Sequence, residues 1–256
     1  MTLVWFLLNP RHPDRVDIHS KVLGENRRLL VRLPVGYAAG KGSYPLIVLL
    51  DGGDQKQFSG DKPLYSRSKE VLAALEKEGL PPMILVGIAN RDRERDMTPI
   101  QRPDIYAGGG GAKAFMEFIE TEVLPFIERR WRIGSTRILY GESYGGLFVL
   151  DVLARGRQVF SDYIAVSPAV GVWPQGLAAC FRRRFNQFFT PRSLYIVYGE
   201  KDAPLVAGYT VPLFREIEGI LPAGSRRRLD ILPKEGHNPV CSLERGLRYI
   251  FSRETP

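Results

Sequence analysis

Gly141-Glu142-Ser143-Tyr144-Gly145-Gly146 places a serine between glycines where a predicted strand ends and a predicted helix begins. A turn sharp enough to lift a serine hydroxyl above a sheet leaves no room for side chains beside it, and Gly141 and Gly145 satisfy that need. The helix N-terminus behind the hydroxyl favours developing negative charge. The chemistry indicated is nucleophilic attack by Ser143. The alternative is a plain glycine-rich turn, which the strand–helix context disfavours.

A serine nucleophile needs a base, and the base needs an acid to orient it. With an elbow of this kind the chain order is Ser, then Asp or Glu, then His. The chain has three histidines, His12, His19 and His237, and of these His237 alone follows Ser143. It sits in Glu235-Gly236-His237-Asn238-Pro239, after the last predicted strand and before a closing helix, whereas His12 and His19 precede the sheet and read as exposed side chains. For the acid, Glu200 and Asp202 compete in Gly199-Glu200-Lys201-Asp202, after the penultimate strand. Asp202 is preferred because it lies further into the loop. An oxyanion hole needs two aimed backbone N–H groups. Tyr144, which follows the nucleophile, is one candidate. Gly53, in Asp51-Gly52-Gly53 after the third strand, is the other, although that segment also reads as an ordinary turn.

The elements that must carry these residues alternate in type. Alternating runs open the chain at Val16–Val22 and Arg28–Leu33. Continuous apolar runs follow at Pro45–Leu50 and Met83–Ile88, as expected of strands covered on both faces. Further strands are predicted at Arg137–Tyr140, Tyr163–Val166, Leu194–Tyr198 and Leu229–Leu232. Helices are predicted at Ser66–Gly79, Ala112–Arg130, Tyr144–Ala154 and Pro239–Phe251, the second bent by Pro125. Gly108–Gly111 lacks the Lys-Ser/Thr of a phosphate loop and reads as a hinge or helix start. Strands alternating with helices predict an α/β fold with a mostly parallel sheet. No repeat or linker-like shift appears, so residues 1–256 read as one domain.

Composition narrows the function classes. The chain has 256 residues, is 44% hydrophobic and 25% charged, and carries 26 Gly and 19 Pro, which suits a packed globular protein. Cys180 and Cys241 are too few for a disulfide scaffold or thiolate cluster. With no His-x-x-x-His pair, no metal and no cofactor are expected. The apolar runs are short of a membrane span, and Leu3–Leu8 lacks the features of a signal core, so a cytoplasmic location is expected. The net charge is +8, and the excess falls in residues 129–256. Arg182–Arg184 and Arg226–Arg228 read first as a solvated face. Two other readings are steering of an anionic small substrate and binding to nucleic acid, the latter not expected.

Taken together, several segments resemble the esterase D-type family of the α/β-hydrolase superfamily, closest to its siderophore trilactone esterase-like branch. They are Asn26–Pro34 through Tyr37, Leu49–Gly52, Gly87-Ile-Ala-Asn90 with Arg93, Arg95-Asp96 and Thr98-Pro99, Gly109–Arg130 and the Ser143 elbow. Ser167-Pro168, Trp173 and Gly199-x-x-Asp202 complete the set. The resemblance implies an α/β-hydrolase fold with helices on both faces of the sheet and little or no lid domain. It also implies a cofactor-free serine esterase acting on a small ester. By the same resemblance Arg93 and Arg95 lie on the site's rim, able to meet a substrate anion. Trp173 would then be a substrate-binding aromatic, single where relatives often carry a pair. The alternatives are an acyltransferase with the same triad and a non-catalytic binder of anions or nucleic acid on this scaffold.

Overall fold

The computed structural model describes residues 15–53, 62–105, 107–184 and 190–252. His12 and Leu3–Leu8 lie outside the described residues, as does part of the Arg182–Arg184 cluster's surroundings. Among the described residues eight strands form one sheet: β1 (Arg15–Ser20), β2 (Glu25–Arg32), β3 (Tyr44–Leu49), β4 (Ile84–Ile88), β5 (Ile133–Glu142), β6 (Asp162–Val166), β7 (Ser193–Gly199) and β8 (Arg226–Leu232). Their order is β1-β2-β4-β3-β5-β6-β7-β8. β2 runs antiparallel to both neighbours, and the pairs from β4 through β8 are parallel.

Two apolar layers cover this sheet, and the strand period assigns each side chain to one of them. In β3, Leu46 and Val48 join the layer beneath α5 (Tyr144–Ala154), while Ile47 and Leu49 join the layer beneath α1 (Leu64–Lys77) and α8 (Ser242–Phe251). All four are fully buried. Burial of each such side chain contributes about 1.5–3 kcal/mol, which is why the middle strands read as unbroken apolar runs.

The segment read as a single helix over 112–130 is three pieces. α3 (Ala112–Phe118) passes through a π-helical turn at Ile119–Val123 into α4 (Leu124–Glu128). Pro125 lacks an N–H and its ring would crowd the carbonyl one turn back, so the wider turn just before it takes up the misfit without ending the helix. Gly111 is the N-cap of α3, in accord with a helix start there, and Gly109 and Gly110 hold positive φ. The remaining helices are α2 (Arg93–Met97), α6 (Pro174–Arg184) and α7 (Pro204–Ile220), with a 3₁₀ turn at Val170–Val172. Among the described residues no helix is long and apolar enough to cross a membrane.

Register decides what meets at the exit edge of the parallel strands. Leu49 pairs with Tyr140, so the Asp51-Gly52-Gly53 turn emerges beside the Ser143 elbow. Glu142 pairs with Val166, Val166 with Val197, and Gly199 with Leu232. The loops after β3, β5, β6, β7 and β8 therefore open along one edge, where α/β sheets place their sites.

Candidate active site

Ser143 stands between β5 and α5 with φ 59° and ψ −113°. A non-glycine residue held there stores strain of roughly 1–3 kcal/mol, which persists only where its surroundings impose it. Three hydrogen bonds do so. The Ser143 N–H donates to the Val166 carbonyl at 2.9 Å, and its own carbonyl accepts from Leu147 at 3.0 Å and Ala169 at 3.1 Å. The glycines are needed for close approach: a Cβ on Gly141 would lie 2.4 Å from the Gly145 carbonyl carbon. α5 starts at Tyr144, so the amides of its first turn have no intrahelical acceptor and face the serine.

His237 Nδ1 lies 2.6 Å from Asp202 Oδ1. The Asp202 side chain is fully buried, and the imidazole is about a third open (37%), leaving its other nitrogen reachable. Ala203 N–H also donates to Asp202 Oδ1, at 2.7 Å. Burial alone would raise the Asp202 carboxyl. The His237 and Ser167 side chains and the Ala203 amide outweigh it and hold the group below its usual value. The His237 loop crosses directly over the end of β7, where a Cβ on Gly199 would meet the Gly236 carbonyl oxygen at 2.2 Å. Glu200, the competitor, is exposed and its Oε2 accepts the Lys234 N–H at 3.0 Å, bracing the turn before His237.

On the other side of the elbow, Asp51 is buried in the left-handed region at φ 54°. Burial raises its carboxyl, against the opposing pull of Arg93 and Asn90. Gly52 N–H is taken by the Ile88 carbonyl at 3.0 Å, which leaves Gly53 as the oxyanion-donor candidate of that pair. Arg93 is not a free rim cation. Its Nε donates to Asp51 Oδ2 at 2.8 Å, its Nη2 donates to the Glu142 carbonyl at 2.9 Å, and its guanidinium lies 5.1 Å from the Tyr144 ring centroid. It thereby ties the β3 turn to the elbow. Arg95 likewise donates to Glu25 Oε1 at 2.7 Å and Asp96 Oδ1 at 2.8 Å. Both guanidinium groups are thus already paired within the fold, Arg93 with Asp51 and Arg95 with Glu25 and Asp96, as partial removal from water demands.

Other expected residues fall as follows. Trp173 is half-buried after the 3₁₀ turn, its indole occupying the space a Cβ on Gly176 would need, while Arg102 donates to the adjoining Val172 carbonyl at 2.6 Å. His19 is on β1, beside Asn26. In the basic half, Arg226 binds the C-terminal carbonyls of α8, including Tyr249 at 2.7 Å, and Arg228 pairs with Asp230. Arg192 and Arg226 lie at the entry ends of β7 and β8, the edge opposite Ser143. Asp51, Asn90, Ser167 and Asn238 are site residues the sequence reading gave no role of their own. Asp51, Ser167 and Asn238 are non-glycine residues with positive φ, a conformation that no spacing pattern announces.

Solved structures share this architecture. An IroE-like serine hydrolase from Shewanella oneidensis superposes with a TM-score of 0.79 at 28% identity, over 93% of this chain and 79% of that one. A siderophore hydrolase from Aspergillus nidulans gives a TM-score of 0.74 at 23% identity, over 92% and 94%. By sequence, the ferri-bacillibactin esterase of Bacillus subtilis is 34% identical over 151 residues, 50% of this chain and 48% of that protein. The apo-salmochelin esterase of Escherichia coli is 30% identical over 143 residues, 50% of this chain and 42% of that protein. The chain thus spans about half the length of the curated relatives it matches. The sequence profile described as "Putative esterase" matches residues 20–201, most of the chain, and the protein belongs to that esterase family and has the α/β-hydrolase fold.

Proposed function

We propose that the protein is a serine esterase working through Ser143, His237 and Asp202. One observation carries the reading: a 2.6 Å His237–Asp202 contact stands on the same sheet edge as a strained serine on a strand–helix elbow. His237 accepts the Ser143 proton as Oγ bonds to the ester carbonyl carbon, and Asp202 stabilises the imidazolium that forms. The Tyr144 and Gly53 N–H groups receive the developing oxyanion, and the Arg93 charge beside them favours the same species. The imidazolium then protonates the departing alcohol. A water, deprotonated by His237, cleaves the acyl-enzyme and restores the serine.

The substrate class we propose is a siderophore ester. The support is the naming of relatives as ferri-bacillibactin, apo-salmochelin and triacetylfusarinine C esterases. A fluorophosphonate probe with peptide mapping tests the nucleophile, and a panel of p-nitrophenyl acetate, feruloyl ester, S-formylglutathione and a trilactone tests the class. Labelling at Ser143 alone with turnover of the trilactone is expected. Labelling elsewhere, or none, would overturn the enzyme reading, and turnover confined to the other esters would overturn the siderophore class.

A further inference from the structure

Ser167 follows β6 and is fully buried at φ 42°, a left-handed conformation that glycine would adopt without strain. A serine kept there invites the question of what its hydroxyl does. Its N–H donates to the Val197 carbonyl at 2.7 Å, fastening the turn to β7. Its Oγ accepts the N–H of Asn238, the residue after the base, at 2.9 Å. Asn238 is itself buried and left-handed, at φ 54°. A hydroxyl that accepts still has one proton to give. Asp202 Oδ1 already receives His237 Nδ1 and the Ala203 N–H, while Oδ2 is buried without a close hydrogen bond. The Ser167 side chain is among the groups that draw the Asp202 carboxyl below its ordinary value, against the burial that raises it.

Resting on the esterase reading above, we infer that Ser167 is a positioning residue: its hydroxyl receives the Asn238 amide while its own N–H is fastened to β7, so it holds the His237 loop in register with the strand that leads to its acid. The geometry explains why Ser167 is tied on both sides, by its amide to β7 and by its hydroxyl to the loop after β8. The acid comes from the end of β7 and the base from the end of β8; the Lys201 N–H to Glu235 carbonyl bond at 2.9 Å and the Lys234 N–H to Glu200 bond tie the loops ahead of His237, and Ser167 holds the residue after it. Ser167 touches no reacting atom. Its effect passes through the orientation of the imidazole.

Two variants separate the hydroxyl from the backbone. Ser167→Ala removes the oxygen and keeps the strained φ, whereas Ser167→Gly removes the oxygen and relaxes φ. Both are expected to lower kcat roughly 10- to 100-fold, the range that a small misplacement of a reacting group produces, with KM little changed. A second readout needs no turnover. The His237 Nδ1–H proton, held against Asp202, is expected as a resolved downfield NMR resonance in the wild type. In both variants it should shift upfield or broaden through exchange with water. Full kcat and an unaltered resonance in both variants would overturn the inference. So would recovery in Ser167→Gly alone, since that would assign the effect to the backbone. If Ser167→Ala fails to fold, the glycine variant, suited to this φ, still decides. If the wild type turns over no ester, the esterase reading fails on the panel, while the resonance still reports whether Ser167 orders the His237–Asp202 pair.

Discussion

Replacing Asp202 by Asn tests the electrostatic core of the proposed mechanism with almost no change in shape. The carboxylate stabilises the imidazolium that exists once His237 has taken the serine proton. The contacting atoms are 2.6 Å apart, so the charge centres are about 4 Å apart, and at an effective dielectric near 20 their attraction is about 4 kcal/mol. The imidazole is about a third open to water, which screens the pair and brings the figure nearer 3 kcal/mol. At 1.36 kcal/mol per tenfold, kcat should fall between about 10² and 10³. An amide also presents an N–H where the ring needs an acceptor, favouring the wrong tautomer and moving the loss towards the upper figure. The assay is steady-state hydrolysis of p-nitrophenyl acetate, with the rate of fluorophosphonate labelling and circular dichroism in parallel. Glu200→Gln is the control, because Glu200 is exposed and braces only the Lys234 amide. Asp202→Asn within threefold of wild type and folded would refute the reasoning. A large loss in Glu200→Gln instead would move the acid to Glu200.

Ser143→Ala should lose about 10³-fold or more of kcat, and Ser143→Gly, relieved of the strain at φ 59°, should gain about 1 kcal/mol of stability, read as a higher melting temperature. Because the folded Asp202 carboxyl lies below its ordinary 3.8, its contribution to stability is present above that pH and fades as pH falls through the depressed value; urea midpoints of wild type and Asp202→Asn should therefore converge only in strong acid. Arg93→Ala leaves buried Asp51 without its cation and should cost about 3 kcal/mol in chemical denaturation, along with a drop in kcat; an unchanged midpoint would remove Arg93 from the account of the elbow. With Arg93 and Arg95 already paired, any preference for anionic esters comes from the long-range field of the +8 charge, so kcat/KM for an anionic ester should fall with salt while a neutral one of matched size stays flat.

The sequence alone pointed to the α/β alternation, to Ser143 as a glycine-flanked serine at a strand–helix junction, and to His237 as the histidine that follows it. Each rests on local physics. Continuous apolar runs such as Leu46–Leu50 require cover on both faces, Gly141 and Gly145 meet a steric demand two residues either side of Ser143, and a chain with three histidines has one after that serine. Its helix over 112–130 was right in extent to within two residues but not in form, because a π turn ahead of Pro125 depends on how carbonyls are satisfied in three dimensions. Tertiary structure decided the rest. The resemblance puts Arg93 and Arg95 on the site's rim, but what they pair with is set by register, which brings Asp51 and Glu25 from distant strands against them. Asp202 sits two residues from Glu200 in one loop. What separates them is that β7 and β8 end side by side, so that the His237 loop folds over Gly199 onto one carboxylate and leaves the other in water. Ser167 and Asn238 acquire their conformations in the same way, from contacts between loops that are far apart along the chain and adjacent only at the sheet's exit edge.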